Sequence, residues 1–462
     1  MRGKRTRSVA EEFSGAEFGD RRLGARLEVM AEAFSASPGA SLPNAMRDEA
    51  ELEGAYRFLG NPKVTADKIL APHIAATRER VRAVDLAYCI SDTTELRYGG
   101  HRRRGLGPLQ NAGQGFLEHV AIAVAADGSR LPLGVLAHKT IIRPLEPKKR
   151  RGTKRSRRAP DSESRKWEQV AESAEHAIEQ ENKLIHLMDR EADIYALLAS
   201  HQANKRRFVI RLGQNRKVVD DEGIEHLFDA LDSATERSRR DVEICARPRN
   251  AGGHPKREPR LAHLTFAARP VVVYRAKSAD PALPQQLAVN VVHVREVEPP
   301  AGEEPVDWKL VTSEPIESAT DLERVVDAYR HRWVIEEFFK ALKTGCDVES
   351  NQLESFAPIR NLLAIMMPIA IQLLALRSLA TTAPAAPAAR VLSSHELDAL
   401  RLMSRKKVPR HLTVSDAMYA IAAMGGHIKN NGPPGWQVLA RGYLDLIRYA
   451  EVLQTLQNAK KL

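Results

Sequence analysis

The sequence predicts an α/β fold built around a mixed sheet, and three observations carry that expectation. The stretch "HVAIAVAADGSRLPLGVLAHKTII" (119–142) sets two apolar strands on either side of a turn signal, Asp-Gly-Ser. The strand "KLIHLM" (183–188), a helical segment and the strand "RRFVIRL" (206–212) then follow in an alternation that gives parallel pairs. Finally, the apolar period is helical over residues 1 to about 70 and strand-like from about residue 80.

In chain order, "RLGARLEVMAEAF" and "ELEGAYRFLG" carry helical spacing, are rich in arginine, and end at Asn61-Pro62. "VDLAYCIS" (84–91) predicts a strand that ends at Asp92. The hairpin comes next, then a helix ("SRKWEQVAESAEHAIEQE"), the strand closed by Asp189, a helix from Glu191, and a further strand. Residues 214–310 hold Gly/Pro-rich and strand-like pieces ("HLTFAA", "PVVVYRA", "LAVNVVHVREV") and predict a β-rich insertion. Helix resumes near Asp321 and continues with one break to about residue 380; an Ala/Pro linker, "TTAPAAPAA", precedes a helical remainder. Three units are expected: 1–70, 71–380 including the insertion, and 381–462.

Composition narrows the function. The 462 residues are 43% hydrophobic and 28% charged, a folded rather than disordered balance. Seventy Lys and Arg against 59 Asp and Glu give +11, which favours a polyanionic partner such as nucleic acid. Cys89, Cys245 and Cys346 stand far apart, which argues against a disulfide framework or a zinc finger and suits a reducing cytosol. The start "MRGKRTRSVAEEF" lacks the apolar core of a secretory signal. The greasiest stretch, Leu362 to Leu376, is interrupted by Pro368 and falls short of the roughly 20 apolar residues of a membrane span, so it is expected in the core. The basic run "KKRRGTKRSRR" (148–158) is a solvated loop or a phosphate contact, and "GGHRRRGLGPLQNAGQG" lacks the G-K-[ST] of a P-loop.

The chemistry concentrates in "YRHRWVIEEFFKALK" (329–343) and in two aspartates. On a helix, with Tyr329 at 0°, Arg332 falls at about 300°, Glu336 at about 340° and Lys343 at about 320°. Ile335, Phe338 and Leu342 cluster on the opposite side, while Glu337 lies off the stripe at about 80°. The geometry selects Glu336 over Glu337. A charged stripe opposite an apolar face is most often the solvated side of a helix, and Trp333 is expected in the core. Asp92 and Asp189 each follow an apolar strand, at the edge where open α/β sheets place their sites. Taken singly, they also fit an Asx turn and a helix N-cap. Two aspartates and a glutamate offer hard oxygen ligands without a thiolate or imidazole cluster, a set that suits Mg²⁺ or Mn²⁺. Two such ions about 3.5–4 Å apart serve phosphodiester chemistry.

"SDTTEL", "MDREADIYALL" and the Tyr329–Arg332–Glu336–Lys343 spacing together resemble the DDE transposases of bacterial insertion sequences, and more narrowly the "insertion sequence four" family with its Y-R-E-K helix. "FGDRRLGARL" and "EGAYRFLGNP" look like that family's end-recognition domain, and "WKLVTSEP" like the strand before its glutamate helix. The resemblance implies an RNase H-like core with a β insertion, a helical N-terminal DNA-binding domain, and a helical C-terminal region that dimerises. It implies that Asp92, Asp189 and Glu336 hold two Mg²⁺ or Mn²⁺ ions. The same site would then nick the element's 3′ end, form and open a hairpin, and join the ends to target DNA.

Further roles follow from the same resemblance. Arg332 and Lys343 would grip phosphates, and Tyr329 would hydrogen-bond one. Trp308 matches the aromatic that receives a flipped base, and is equally a core aromatic. Arg211 matches a DNA-contacting arginine, while Arg22, Arg26 and Arg57 are candidates for the terminal repeat. The partners implied are double-stranded repeat ends, target DNA and a second copy of the chain, in a bacterial cytoplasm without a membrane. A nuclease of the same fold that never joins ends, and a catalytically retired DNA-binding protein, are the alternatives.

Overall fold

The computed structural model describes residues 9–459, apart from 36–38, 111–112, 146–162, 179–182, 221–222, 245–256, 278, 405–408, 410 and 429–433. The basic run at 148–158, Cys245 and part of "GGHIKNNGPPGW" therefore lie outside the described residues.

Five helices come first: α1 (Val9–Phe13), α2 (Arg21–Ser35), α3 (Leu42–Ala45), α4 (Glu49–Leu59) and α5 (Ala66–Arg82). α2 repeats Leu27, Met30, Ala31 and Phe34 at intervals of three and one to three, which puts one buried face along the helix. The Asp48 carboxylate caps α4 by accepting the Glu51 N–H at 2.8 Å, and Thr65 caps α5 in the same way.

The strands are β1 (Ala87–Tyr98), β2 (Gly107–Pro108), β3 (Gln114–Ala125), β4 (Pro132–Ile141), β5 (Leu184–Met188) and β6 (Arg207–Arg211). They continue as β7 (Lys217–Asp220), β8 (Gly223–His226), β9 (Glu236–Ile244), β10 (Arg260–Tyr274), β11 (Gln286–Val297) and β12 (Asp307–Thr312). All belong to one sheet, ordered β2-β3-β1-β5-β6-β12-β11-β10-β7-β8, with β4 on β3 and β9 on β10. β5 lies parallel to both β1 and β6, whereas β3 and β12 close the parallel trio on antiparallel edges. The β-rich segment between 214 and 310 thus extends the core sheet through β12.

Two local expectations need correction. β1 does not stop at Asp92 but runs six residues further, because antiparallel β3 pairs with it as far as Tyr98 and satisfies the backbone of a polar stretch. No α-helix begins at Glu191: Arg190–Ala192 form a single 3₁₀ turn, and the next α-helix spans Tyr195–Ala203. The apolar stretch around Pro368 lies in one helix, Phe356–Thr382, as expected of a core segment.

The remaining helices are α6 (Lys166–Ile178), α7 (Tyr195–Ala203), α8 (Leu227–Asp232), α9 (Ala319–Arg330), α10 (Val334–Lys340) and α11 (Phe356–Thr382). α12 (Ser394–Met403), α13 (Val414–Met424) and α14 (Trp436–Ala459) complete them. By length and composition α11 could cross a membrane, but 83% of its most apolar window is buried inside the protein, as a core helix requires. The Ala/Pro segment after it is tied down: the Val414 N–H donates to Ala386 O at 2.8 Å, and the Ala388 N–H to Leu412 O at 2.9 Å. Where α5 crosses β4 only glycine fits. Gly134 has φ of 144°, and a Cβ there would stand 2.0 Å from Thr77 Oγ1.

Candidate active site

Strand register brings the two aspartates together. β1 and β5 run parallel with Ile90 opposite Leu187, so two more residues set Asp92 beside Asp189, on the same face. β5 and β6 pair Met188 with Ile210, which sets Asp189 beside Arg211 in turn. The three side chains therefore sit in a row across adjacent strands. β12 continues that row, because Leu310 pairs with Arg211 and Trp308 lies two residues along.

The segment 329–343 docks over this edge, but not as one helix. A capping box between Ser318 and Asp321 starts α9; a 3₁₀ turn, His331–Trp333, separates it from α10; and a π turn, Ala341–Gly345, follows. The wheel nevertheless holds at its centre. Arg332 Nη2 donates to Glu336 Oε1 at 2.6 Å, and Nη1 donates to Asp92 Oδ2 at 3.2 Å. Glu337 faces elsewhere, into a cavity of about 280 Å³ with Arg130, Arg377 and Ser378.

The stripe is not the solvated side of the helix. Tyr329 is 2% exposed and Arg332 7%, because this face packs on the sheet. Trp308 is half-buried and meets the Tyr329 ring edge to face, 5.5 Å between centroids. Trp333, expected in the core, is instead 49% exposed, with the Arg332 guanidinium 4.8 Å from its ring centre. Trp333 lies in the 3₁₀ turn and leaves an aromatic face available for stacking at the rim. Lys343 lies farther along β1, where Nζ donates to Glu95 O and stands 3.9 Å from Glu349.

Electrostatics set these carboxylates apart. Burial, followed by the charge of neighbouring Asp189, pushes Asp92 up to about 6, against the pull of Arg332. Burial also raises Asp189, whose Oδ1 accepts the Glu191 N–H at 2.8 Å as the sequence's N-cap alternative anticipates. For Arg332, burial opposes the charge, but Tyr329, Glu336 and Asp92 outweigh it and hold the guanidinium above its ordinary value. Arg211 is lowered by burial and donates to Asp307 O at 3.1 Å.

Two contributors had escaped the sequence. Lys166, at the start of α6, is 7% exposed and reaches Glu191 Oε2 at 3.2 Å, close enough for its charge to be felt at Asp189. Asp193 accepts the Gly213 and Gln214 N–H groups at 2.8 Å each and pairs with Arg216, fixing the loop beyond Arg211. The only sequence signal for either was a charged residue at the mouth of a helix. The N-terminal arginines lie elsewhere: Arg22 is exposed and paired with Asp20, Arg57 is exposed and paired with Glu53, and Arg26 covers Gly54. Among the described residues none of these three bonds to the carboxylate group.

Among the described residues no three acidic, imidazole or thiol side chains converge into a ready-made cation cage. The Arg332 guanidinium spans Asp92 and Glu336 instead. The donor set still fits a hard divalent ion: carboxylate oxygens only, two of them on half-buried aspartates whose own repulsion is incompletely balanced. A cavity of about 620 Å³ lies at the far end of β6 around Arg206 and Arg207, away from these carboxylates.

Residues 6–64 match the family described as transposase DNA-binding, and residues 159–371 the transposase DDE domain. By these matches the chain carries a transposase DNA-binding domain followed by a DDE transposase domain. Arg22, Arg26 and Arg57 fall within the first match, Asp189 and Glu336 within the second, and Asp92 lies before the second begins. The mixed sheet with its flanking helices is accordingly the RNase H-like α/β core of a transposase. A cryo-EM structure of the piggyBac transposase synaptic complex with hairpin DNA aligns with 81% of this chain and 75% of that chain, at TM-score 0.38 and 9% identity. That likeness is too distant to bear on mechanism.

Proposed function

We propose that this DDE transposase is a cut-and-paste enzyme of the "insertion sequence four" family. It cleaves phosphodiester bonds at the paired inverted-repeat ends of its element and joins the freed 3′ hydroxyls to target DNA. The observation that carries the proposal is the convergence of Asp92 and Asp189, adjacent by register, with Glu336, joined to Asp92 through Arg332.

Asp92, Asp189 and Glu336 are the residues that would hold Mg²⁺ or Mn²⁺, two ions per site, supplying an activated attacking oxygen and a stabilised leaving one. The protein's own groups do the rest. Arg332, Arg211 and Lys343 bind the phosphates flanking the scissile bond and orient them for in-line displacement. The Tyr329 phenol stays protonated, its pKa pushed up to about 12 by burial, and so donates to a phosphate oxygen. Trp308 or the exposed Trp333 offers an aromatic face to an unstacked base. Arg22, Arg26 and Arg57 grip the terminal repeat, the C-terminal helices join two copies in the synaptic complex, and the enzyme works in the bacterial cytoplasm.

The test uses purified protein, a labelled duplex ending at the inverted-repeat boundary beside the native gene, and supercoiled plasmid. Reactions contain Mg²⁺ or EDTA. Mg²⁺-dependent 3′ nicking at the boundary followed by joining to plasmid supports the proposal. Unspecific cutting without joining indicates a nuclease, and shifted but uncut DNA with intact protein indicates a retired binder.

A further inference from the structure

Arg332 makes two bonds whose partners are the two carboxylates facing each other across the site. Its Nη1 lies 3.2 Å from Asp92 Oδ2 and its Nη2 2.6 Å from Glu336 Oε1. A planar cation that joins two carboxylates stands where any other cation shared between them would have to stand. Two cations cannot occupy that position together, since like charges at contact repel strongly in a poorly solvated site. The arginine is also built to leave. It lies in the 3₁₀ turn between α9 and α10, rests on a half-exposed indole, and carries a fork that fits phosphate as well as it fits carboxylate. The cation on the other flank, Lys166, bonds Glu191 and bridges no pair of the three carboxylates.

We propose that Arg332 is a displaceable counter-ion that keeps the Asp92–Glu336 pair closed to divalent cations until a DNA phosphate draws the guanidinium away. The inference rests on the reading of Asp92, Asp189 and Glu336 as the cation site. In the free protein Arg332 neutralises two carboxylates that would otherwise repel each other. A phosphate backbone reaching the rim offers the guanidinium a new partner, and the released carboxylates then accept the ion. Metal and DNA bind with positive coupling, because metal affinity is reduced by the fraction of molecules in which the pair is open. The device confines metal loading, and with it strand cutting, to protein already engaged on DNA.

Mn²⁺ binding to the full-length protein, followed by titration calorimetry with and without the repeat-end duplex, tests this. Wild type should bind Mn²⁺ at least tenfold more tightly when the duplex is present. Arg332→Met should bind tightly without DNA and lose most of the response to it. Arg330→Met removes an equal charge two residues away, from an exposed side chain paired with Asp327, and should keep the wild-type response. A second readout needs no variant: in EDTA, the duplex should change the emission of Trp333 as Arg332 leaves its ring, a change absent from Trp333→Phe.

Equal coupling in wild type and Arg332→Met would overturn the proposal, as would unaltered Trp333 emission at saturating DNA. Asp92→Asn and Asp189→Asn separate the two levels of inference. If both abolish Mn²⁺ binding while coupling survives in Arg332→Met, the counter-ion idea alone fails. If neither weakens Mn²⁺ binding, the cation site itself is misassigned and both fall.

Discussion

Glu12 is a buried carboxylate and Asp92 a half-buried one, each beside an arginine, yet their chemistry diverges. Glu12, on α1, accepts from His73 Nδ1 at 2.6 Å and from two nitrogens of Arg80 at 2.6 and 3.0 Å. Burial opposes its charge, but the hydrogen bonds from His73 and Arg80 outweigh burial and take it down to about 2. His73 stays neutral, held down by burial, and its Nε2 accepts the Val135 N–H at 3.0 Å. Asp92 has an arginine too, but that arginine is shared with Glu336; burial first, and then the negative charge of Asp189, raise its pKa to about 6. One cluster is saturated and joins α1 to α5 and β4. The other is left short of positive charge, which is the condition for recruiting a cation from outside.

If that contrast is real, the two clusters should respond oppositely to mutation. The largest effect is expected at the unsaturated cluster. Asp92→Ala, Asp189→Ala or Glu336→Ala should each lower end cleavage by on the order of 10³ while circular dichroism and DNA binding persist. Any one of them with wild-type cleavage loses its assigned role.

At the saturated cluster, Glu12→Ala should cost about 3 kcal/mol of stability by leaving Arg80 and His73 without their partner. Urea denaturation measures it; a loss under 1 kcal/mol would mean that the cluster is incidental.

A third buried network sharpens the comparison by pH. For His138, burial opposes protonation, but the Asp67 carboxylate 3.3 Å from Nε2 and the hydrogen bond with Glu118 outweigh it and raise the imidazole to about 9. A raised folded pKa means this stabilisation is complete below about 6.5 and fades as pH climbs through the folded value, about 9. It is worth roughly 3 kcal/mol. His186 is raised to about 9 as well, so the informative quantity is the difference between wild type and His138→Gln. A difference that stays flat from pH 6 to 10 would count against the network.

For Asp92 the sign reverses. A carboxyl whose folded pKa lies above its unfolded one destabilises the fold once ionised. Asp92→Asn should therefore raise stability at pH 7 by roughly 3 kcal/mol and make little difference below about pH 3, where both states are protonated. Destabilisation at pH 7 would show that Arg332 already saturates the aspartate. Smallest of all, Glu337→Gln should change cleavage and stability by less than about 0.5 kcal/mol, since its carboxylate faces the Arg130 cavity. A loss equal to that of Glu336→Gln would remove the distinction between the neighbours.

The sequence by itself determined the periodicities. The apolar spacing of α2, the Asp-Gly-Ser hairpin between β3 and β4, and the short strand ending at Asp189 follow from local steric and solvation preferences, which act within a few residues. The choice of Glu336 over Glu337 belongs with them, because the i,i+4 bond from Arg332 to Glu336 is a property of one helical turn. Tertiary structure decided everything that depended on a partner distant in sequence. β1 runs past Asp92 because β3 covers it, Tyr329 is buried because its helix lies on the sheet edge, and Trp333 turns outward at the 3₁₀ break. Most of all, Asp92 meets Asp189 only through the parallel register of β1 and β5. Nothing within either strand states that register, for it is set by which side chains must share a core.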